Sequence, residues 1–234
     1  MDEISMDRMA ENIKTIISRI AHAAKKAGRL PQEILLCAAC KSRSVQTIKK
    51  SAALAVDIFG ENRMQEMAVN FDADAYMGKA CHFIGHVQTN KVKKIVGLAN
   101  VIQSVDSLRL LKAINREALA KNLCQDILFQ INLGDETSKD GADKADLESM
   151  LEAAAGMHNV RVKGLMAIPP ITDNVSESQR YFAMLRALLE EAKSYQYENM
   201  PLDTLSMGMT DSFEAAIVEG ANIVRIGTGI YGPR

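Results

Sequence analysis

The sequence predicts an α/β protein built as a single (β/α)8 barrel, or TIM barrel, with an extra helix before the first strand. Short apolar segments alternate with amphipathic stretches along the chain, and eight such units fit into its 234 residues without a Pro/Ser-rich linker. We therefore expect one domain over residues 1–234. A doubly wound open sheet is the alternative, but it normally has fewer strands and a glycine-rich first turn, and no GxGxxG or Walker A sequence occurs.

The first predicted element is an amphipathic helix over residues 5–28. Its apolar residues recur at helical spacing, and Gly28 is a suitable C-cap. They are Met6, Met9, Ile13, Ile16, Ile17, Ile20 and Ala24. We expect this helix to pack on the body of the barrel.

Eight segments are predicted as strands because apolar residues follow one another within them. This pattern is typical of parallel strands that are covered on both faces. The segments are 33–40, 56–60, 81–85, 100–105, 126–132, 160–166, 203–207 and 223–227. Between them, residues 107–122 and 177–194 show clear helical periodicity.

Charge and hydropathy exclude several classes of protein. The net charge is −1, from 28 basic and 29 acidic side chains, which argues against a general binder of nucleic acid or of acidic membranes. No apolar run approaches the ~20 residues that span a bilayer. The N-terminus is acidic and mixed in charge, unlike a signal peptide, so we expect a cytoplasmic protein. We also expect a monomer.

Cys37 and Cys40 form a CxxC sequence that could indicate a redox pair or half of a metal site. Within a strand, however, their side chains point to opposite faces, and their Cα atoms lie ~10 Å apart, too far for a disulfide. A zinc site would need further ligands, yet Cys81 and Cys124 are isolated in the sequence. We interpret the two thiols as packing residues.

His82 and His86 could share a metal only if they lay on one helix. The surrounding residues predict a strand, along which the two side chains would be ~13 Å apart. We therefore predict no metal site. His86 is expected near a ligand at the mouth of the barrel, and His82 is expected to be structural.

Lys41 follows the first predicted strand, on the face where barrel enzymes place their active sites. Barrels often hold phosphate with the loops after strands seven and eight, here residues 205–216 and 224–232. These loops offer backbone N–H groups and hydroxyls to an anion. The candidates are Ser206, Gly208, Gly227, Thr228 and Gly229.

Strand alternation directs Arg225 away from its apolar neighbours, where it needs a partner; a structural ion pair is the alternative. Lysine, phosphate loops and arginine together suit pyridoxal 5'-phosphate (PLP). The lysine would form the imine, the loops would hold the phosphate, and the arginine would meet the ring nitrogen. Asn62, after the second strand, could hydrogen-bond the phenolic oxygen of the cofactor or a side chain that itself contacts the cofactor.

Longer motifs in the chain resemble those of the pyridoxal phosphate homeostasis proteins, the YggS-like family, which are single-domain relatives of the alanine racemase barrel. The resemblance runs in order from about residue 30 to the last residue. The motifs are "CKS", "FGENRMQE", "HFIGHVQTNKVKKI", "SVDSLRLLKAIN", "GLMAIPP", "LSMGMTDSFEAAIVEG" and "VRIGTGIYG".

The resemblance implies a PLP cofactor held on Lys41 as an internal aldimine. It implies phosphate contacts from Ser206, Gly227 and Thr228, with Arg225 near the pyridine nitrogen. It also implies that Asn62, His86 and Met166 line the pocket. The chain departs from the family at Cys37, Ala38, Cys40 and Cys81, which bears on pocket shape and thiol reactivity.

Two features favour a carrier over an enzyme. Racemases use a second base, which in the related racemases is a tyrosine from an additional domain of the partner subunit, and we expect no such domain here. Arginine cannot accept a ring proton, so the ring would be a weak electron sink. We expect a protein of PLP homeostasis that hands the cofactor to PLP-dependent apoenzymes. A small PLP-dependent racemase or lyase is the alternative, and a Schiff-base enzyme for a phosphorylated sugar is a third hypothesis.

Overall fold

A computed structural model describes residues 4–134, 140–170, 172 and 174–233 of the chain. Within these residues, eight parallel strands pair in sequence order and close into a barrel, with the last strand against the first. The strands are β1 Leu35–Ala39, β2 Ile58–Glu61, β3 Ala80–Phe83, β4 Val101–Val105, β5 Gln125–Gln130, β6 Val160–Met166, β7 Thr204–Ser206 and β8 Ile223–Ile226. The predicted barrel is confirmed.

Along the described chain, one α-helix precedes the first strand and one follows each of the eight strands. They are α1 Met6–Lys26, α2 Val45–Ala52, α3 Met64–Asp72, α4 Val92–Ile95, α5 Leu108–Ala120, α6 Leu147–Ala155, α7 Val175–Lys193, α8 Phe213–Val218 and α9 Thr228–Tyr231. None of the helices described is long and apolar enough to pass through a membrane.

Helix α1 confirms the predicted N-terminal helix and is two residues shorter at its end. Ser5 caps its first turn by accepting the N–H of Arg8, and the left-handed Gly28 terminates it. The apolar face of the helix packs against α8 and α9. The side-chain amide of Asn12 also donates to the carbonyl oxygen of Ile230 (3.0 Å), which ties α1 to the end of the barrel.

Strand boundaries differ from the predicted ones where the local backbone turns away from its neighbour. Residues 31–33 form a 3-10 turn, so β1 begins at Leu35. The third strand ends at Phe83, before Gly85. The short β7 pairs with β8 only at Ser206, so the loop after it begins earlier than its apolar residues suggest.

The thiols of Cys37 and Cys40 lie on opposite faces of the barrel wall, as predicted. Cys37 clusters with Ile58 and Ile223 inside the barrel. The Sγ atom of Cys40 lies 3.7 Å from the hydroxyl of Tyr231, in the layer between strands and helices. Both cysteines are free and buried, and neither lines a site with the other.

Candidate functional site

A cavity of about 310 Å³, the Lys41 cavity, opens at the carboxyl end of the barrel. The cavity is lined by residues at or just beyond the carboxyl ends of strands β1, β2, β3, β6, β7 and β8. Its lining consists of Ala39, Lys41, Asn62, Ile84, Ile168, Met209, Thr210, Asp211, Arg225, Gly227 and Thr228. Five residues predicted from the sequence therefore meet in one place: Lys41, Asn62, Arg225, Gly227 and Thr228.

Lys41 is positioned by a tight turn at the end of β1. The carbonyl of Cys40 accepts the N–H of Arg43 (2.9 Å), and Ser42 adopts a left-handed conformation with φ of 60°. The carboxylate of Glu66 accepts the N–H of Ser42 (3.0 Å) and holds the turn. Within the described part of the chain, the Lys41 amine makes no hydrogen bond or ion pair, so it is free to face a ligand.

Asn62 reaches the cavity because β2 and β3 approach closely at their ends. A Cβ atom on Gly85 would overlap the backbone carbonyl of Asn62, so only glycine fits there. The glycine of the "HFIGH" sequence therefore serves to place Asn62. This is a packing requirement of the cavity wall.

Hydroxyls from the loops after β7 and β8 form one wall of the cavity. The Oγ1 atoms of Thr210 and Thr228 lie 3.1 Å apart, and the N–H of Gly229 donates to Thr210 Oγ1 (3.2 Å). Hydroxyl and amide donors gathered in this way can hold an anion such as phosphate. Asp211 also lines the cavity, and its carboxylate has the same sign of charge as such an anion.

Arg225 is the buried cation of the site, with 4% of its surface exposed. It donates from Nη1 to Ser206 Oγ (2.6 Å) and from Nη2 to the carbonyl of Ala167 (2.8 Å). Burial lowers the pKa of its guanidinium to about 10, so it remains protonated at neutral pH. No carboxylate pairs with it among the described residues, so the alternative of a structural ion pair is not found there.

Ser206, Gly208 and Met166 lie beside the Lys41 cavity and not on its lining. The hydroxyl of Ser206 is fully buried and bonded to Arg225 and to Gln103. Gly208 has φ of 88°, and a Cβ there would come 2.6 Å from that of Ala216, so it is needed for the turn into α8. Met166 is buried at the end of β6.

His86 faces a separate groove of about 650 Å³ that Arg109 and Ser107 also line. Its Nδ1 atom lies 3.5 Å from Asp106 and 3.4 Å from Asp140. His82 is buried instead, with Nδ1 2.8 Å from Nε2 of Gln103. The two histidines therefore do not act together, as their spacing predicts, and His86 does not reach the Lys41 cavity.

Thr210, Asp211 and the apolar lining residues are not among the site residues predicted from the sequence. Ser206 was favoured within the loop after the seventh strand, yet it is the last residue of β7 and lies inside the wall. Thr210 lies four residues later, just before α8 begins, where a side chain can turn over the mouth of the barrel. A hydroxyl residue four positions after the end of a strand is the sequence feature that could have identified Thr210.

Comparison with known proteins places this geometry in a family. The family model described as "Alanine racemase, N-terminal domain" matches residues 4–234. The pyridoxal phosphate homeostasis protein of Aquifex aeolicus is 38% identical over 224 residues, covering 96% of this chain and 97% of that protein.

Two solved structures share the fold over nearly the whole chain. A protein of unknown function from Bifidobacterium adolescentis superposes with a TM-score of 0.91 at 29% identity, covering 98% of both chains. PipY of Synechococcus elongatus, solved with PLP bound, superposes with a TM-score of 0.80 at 31% identity, covering 91% of this chain and 100% of that one. The chain belongs to the alanine racemase N-terminal-domain family and to the pyridoxal phosphate homeostasis proteins.

Proposed function

We propose that this protein binds PLP in the Lys41 cavity as a Schiff base and acts in PLP homeostasis, with little or no turnover of its own. The observation that carries the proposal is the meeting of a free lysine amine, a hydroxyl-lined wall and a buried arginine around one cavity. PipY, 31% identical and solved with PLP bound, supports the choice of ligand.

The residues present fit the groups of PLP. The amine of Lys41 would condense with the aldehyde, and water would leave. The volume of about 310 Å³ is at the lower end of the range of small-molecule sites, about 300–1,000 Å³, and suits a single ring with a phosphate. Asn62, next to the lysine, would donate to an oxygen on the ring.

Thr210, Thr228 and Gly227 would hold the phosphate. The two hydroxyls are hydrogen-bonded to each other, and an anion between them could accept a hydrogen bond from each. Ser206 and Gly208 support this wall from behind. This assignment differs from the one that the resemblance implies only in replacing Ser206 by Thr210.

Arg225 would direct an N–H toward the ring nitrogen. A guanidinium donates hydrogen bonds and cannot take up the ring proton. The ring therefore stays unprotonated and withdraws electrons weakly, which disfavours carbanion chemistry. Arg225 would bind the cofactor while limiting its reactivity.

The tyrosines give no second base at the cavity. Tyr231 is buried beneath α2, where its hydroxyl lies 3.0 Å from that of Ser51. Burial raises the pKa of Tyr231 well above its ordinary value, so it stays protonated. None of the five tyrosines, all within the described residues, lines the Lys41 cavity. Asp211 is the carboxylate on the lining, and it keeps a small racemase or lyase as the second candidate.

The Schiff base is tested by fixing the cofactor covalently. The protein is incubated with PLP, reduced with borohydride and digested, and the modified peptide is identified by mass spectrometry. We expect modification at Lys41, loss of the visible absorption band in Lys41→Ala, and an unchanged band in the control Lys91→Ala. Cofactor retained after reduction of Lys41→Ala would contradict the assignment.

The carrier role is tested by transfer and by turnover. Loaded protein is mixed with a PLP-dependent apoenzyme, and the return of that enzyme's activity is compared with the rate given by free PLP. In parallel, alanine and serine in D2O are followed for α-proton exchange. Transfer without exchange supports a carrier; steady exchange at catalytic rates would favour the racemase or lyase.

A further inference from the structure

We infer that His82 and Gln103 are positioning residues, which act through Ser206 to orient Arg225 toward the Lys41 cavity. The inference rests on the proposed function, because the orientation of Arg225 matters for a ligand with a ring nitrogen. It gives a role to two buried polar residues that do not touch the cavity themselves.

Four side chains form one continuous chain of hydrogen bonds across the inside of the barrel, here called the arginine relay. Arg225 Nη1 lies 2.6 Å from Ser206 Oγ, and Ser206 Oγ lies 2.6 Å from Gln103 Oε1. Nε2 of Gln103 lies 2.8 Å from Nδ1 of His82. The residues come from β8, β7, β4 and β3, and none is more than 6% exposed.

The arginine fixes the direction of every bond in the relay. Because a guanidinium only donates, Ser206 Oγ accepts from Arg225 and its single proton goes to Gln103 Oε1. The amide then has its oxygen toward the serine and its nitrogen toward the histidine. Nε2 of Gln103 donates, so Nδ1 of His82 must be unprotonated and the ring must carry its proton on Nε2.

His82 is held in the state that the relay needs. Burial lowers the pKa of its imidazole to about 4, although the negative charge of Asp126 opposes the fall. The ring is therefore neutral at physiological pH, and Nδ1 can accept the bond from Gln103. A proton on Nδ1 would face the amide N–H of Gln103, and the amide would have to turn.

Turning the amide would weaken the hold on Arg225. The guanidinium is fixed by two bonds, one to Ser206 and one to the carbonyl of Ala167. A turned amide would point its NH2 group at Ser206 Oγ, where it would compete with Arg225 for the same acceptor, and the bond to Ala167 would become the firmer of the two. Buried polar groups of this kind are costly when unpaired, so the chain favours the one arrangement in which all are paired.

Variants that break the relay without touching the cavity test the inference. Gln103→Met and His82→Leu remove a link, whereas His82→Asn places an amide oxygen near the former Nδ1 and can restore the acceptor. Gln125→Met is the matched control, since Gln125 is equally buried and its amide donates to Ala99 and Asn100 outside the relay. The readouts are the Kd for PLP, the absorption maximum of the loaded protein and Tm.

We expect Gln103→Met and His82→Leu to raise the Kd about tenfold and to shift the absorption maximum, and His82→Asn to restore both. Gln125→Met should lower Tm with the Kd unchanged. If Gln103→Met and His82→Leu lowered Tm but kept the Kd and the absorption maximum of the wild type, both residues would be purely structural and the inference would be wrong. Should His82→Leu not fold, Ser206→Ala makes the same test by removing one hydroxyl.

A ligand-free measurement separates this inference from the proposed function. The ¹⁵N chemical shifts of the His82 ring should show an unprotonated Nδ1 and a protonated Nε2. A protonated Nδ1 would overturn the relay whether or not PLP binds. Failure of the wild type to bind PLP, with the expected ring shifts present, would instead contradict the proposed function.

Discussion

The hydroxyl oxygens of Thr210 and Thr228 lie 3.1 Å apart, although their loops follow different strands of the barrel. Thr210 lies just before α8, and Thr228 is the first residue of α9. The pair therefore marks the point where the loops after β7 and β8 bring hydroxyls to the same wall of the Lys41 cavity. This point was not identified from the sequence, in which Ser206 was preferred.

Thr210→Val should weaken PLP binding through the phosphate. Valine keeps the shape and removes the hydroxyl, and a lost hydrogen bond to a charged group costs about 1.5–3 kcal/mol, so the Kd should rise by about tenfold or more. Binding of pyridoxal, which lacks the phosphate, should change little. Titration by absorbance measures both, with Thr210→Ser as the control that keeps the hydroxyl. An equal loss for both ligands would show that Thr210 does not act on the phosphate.

Thiol reactivity should distinguish the buried cysteines from Cys124. Burial raises the pKa of Cys37 to about 12, and it also raises the pKa values of Cys40 and Cys81. Reactive thiolate is therefore scarce at all three. Cys124 is exposed. A colorimetric thiol reagent should find one fast thiol in the folded protein and four after denaturation.

The control for this count is Cys124→Ser, which should remove the fast phase. Cys37→Ala and Cys40→Ser should bind the cofactor almost normally, because neither thiol lines the Lys41 cavity. Rapid modification of either residue in the folded state would restore a chemical role for the CxxC sequence.

Glu61 should make stability depend on pH. This carboxyl, on the outer side of β2, accepts hydrogen bonds from Asn70 and Tyr76 at Oε1, while Oε2 has no partner among the described residues. Burial raises its pKa from 4.5 to about 7. The folded state thus holds more protons than the unfolded state between these values, and the free energy of unfolding falls as pH rises through them.

Glu61→Gln should remove this fall, which amounts to at most about 3 kcal/mol and levels off above the folded-state pKa. Denaturant unfolding from pH 4.5 to 8 measures the profile. Glu190→Gln, on the exposed side of α7, controls for the loss of one negative charge. A slope that persists in Glu61→Gln would assign the pH dependence to another group.

Arg225→Glu should make the bound cofactor more reactive. A carboxyl group can hold a proton at the ring nitrogen, and the ring would then stabilise a carbanion. Exchange of the α-proton of alanine in D2O should accelerate by about tenfold or more. Arg186→Glu, an exposed site on α7, is the control for charge. An unchanged exchange rate in folded, loaded Arg225→Glu would contradict the electronic argument.

The barrel could be predicted because consecutive apolar residues mark each strand and helical periodicity marks what lies between. Lys41, Gly227 and Thr228 could be expected at one cavity because they follow their strands directly, and the ends of parallel strands meet at one face of a barrel. Arg225 was predicted from the alternation within β8. These inferences needed only local patterns.

The remaining site residues depend on register between strands that are distant in sequence. Ser206 lies inside the wall because β7 pairs with β6 and β8 at that residue. The resemblance implies that His86 and Met166 line the pocket, but His86 faces a neighbouring groove after β3, and Met166 is buried off the lining of the Lys41 cavity. Gln103 and His82 lie on the neighbouring strands β4 and β3, but Ser206 of β7 reaches Gln103 across the inside of the barrel, and no local pattern pairs residues across that interior.

The pairing of β1 with β8 sets the order in which this protein can gain a ligand during synthesis. Lys41 follows the first strand and Thr228 follows the last, so β8 must leave the ribosome before the two sides of the pocket can face each other. A nascent or truncated polypeptide without β8 would have the amine but not the donors proposed to hold the phosphate. Tight retention of the proposed cofactor would therefore report that β8 has been made and has paired with β1.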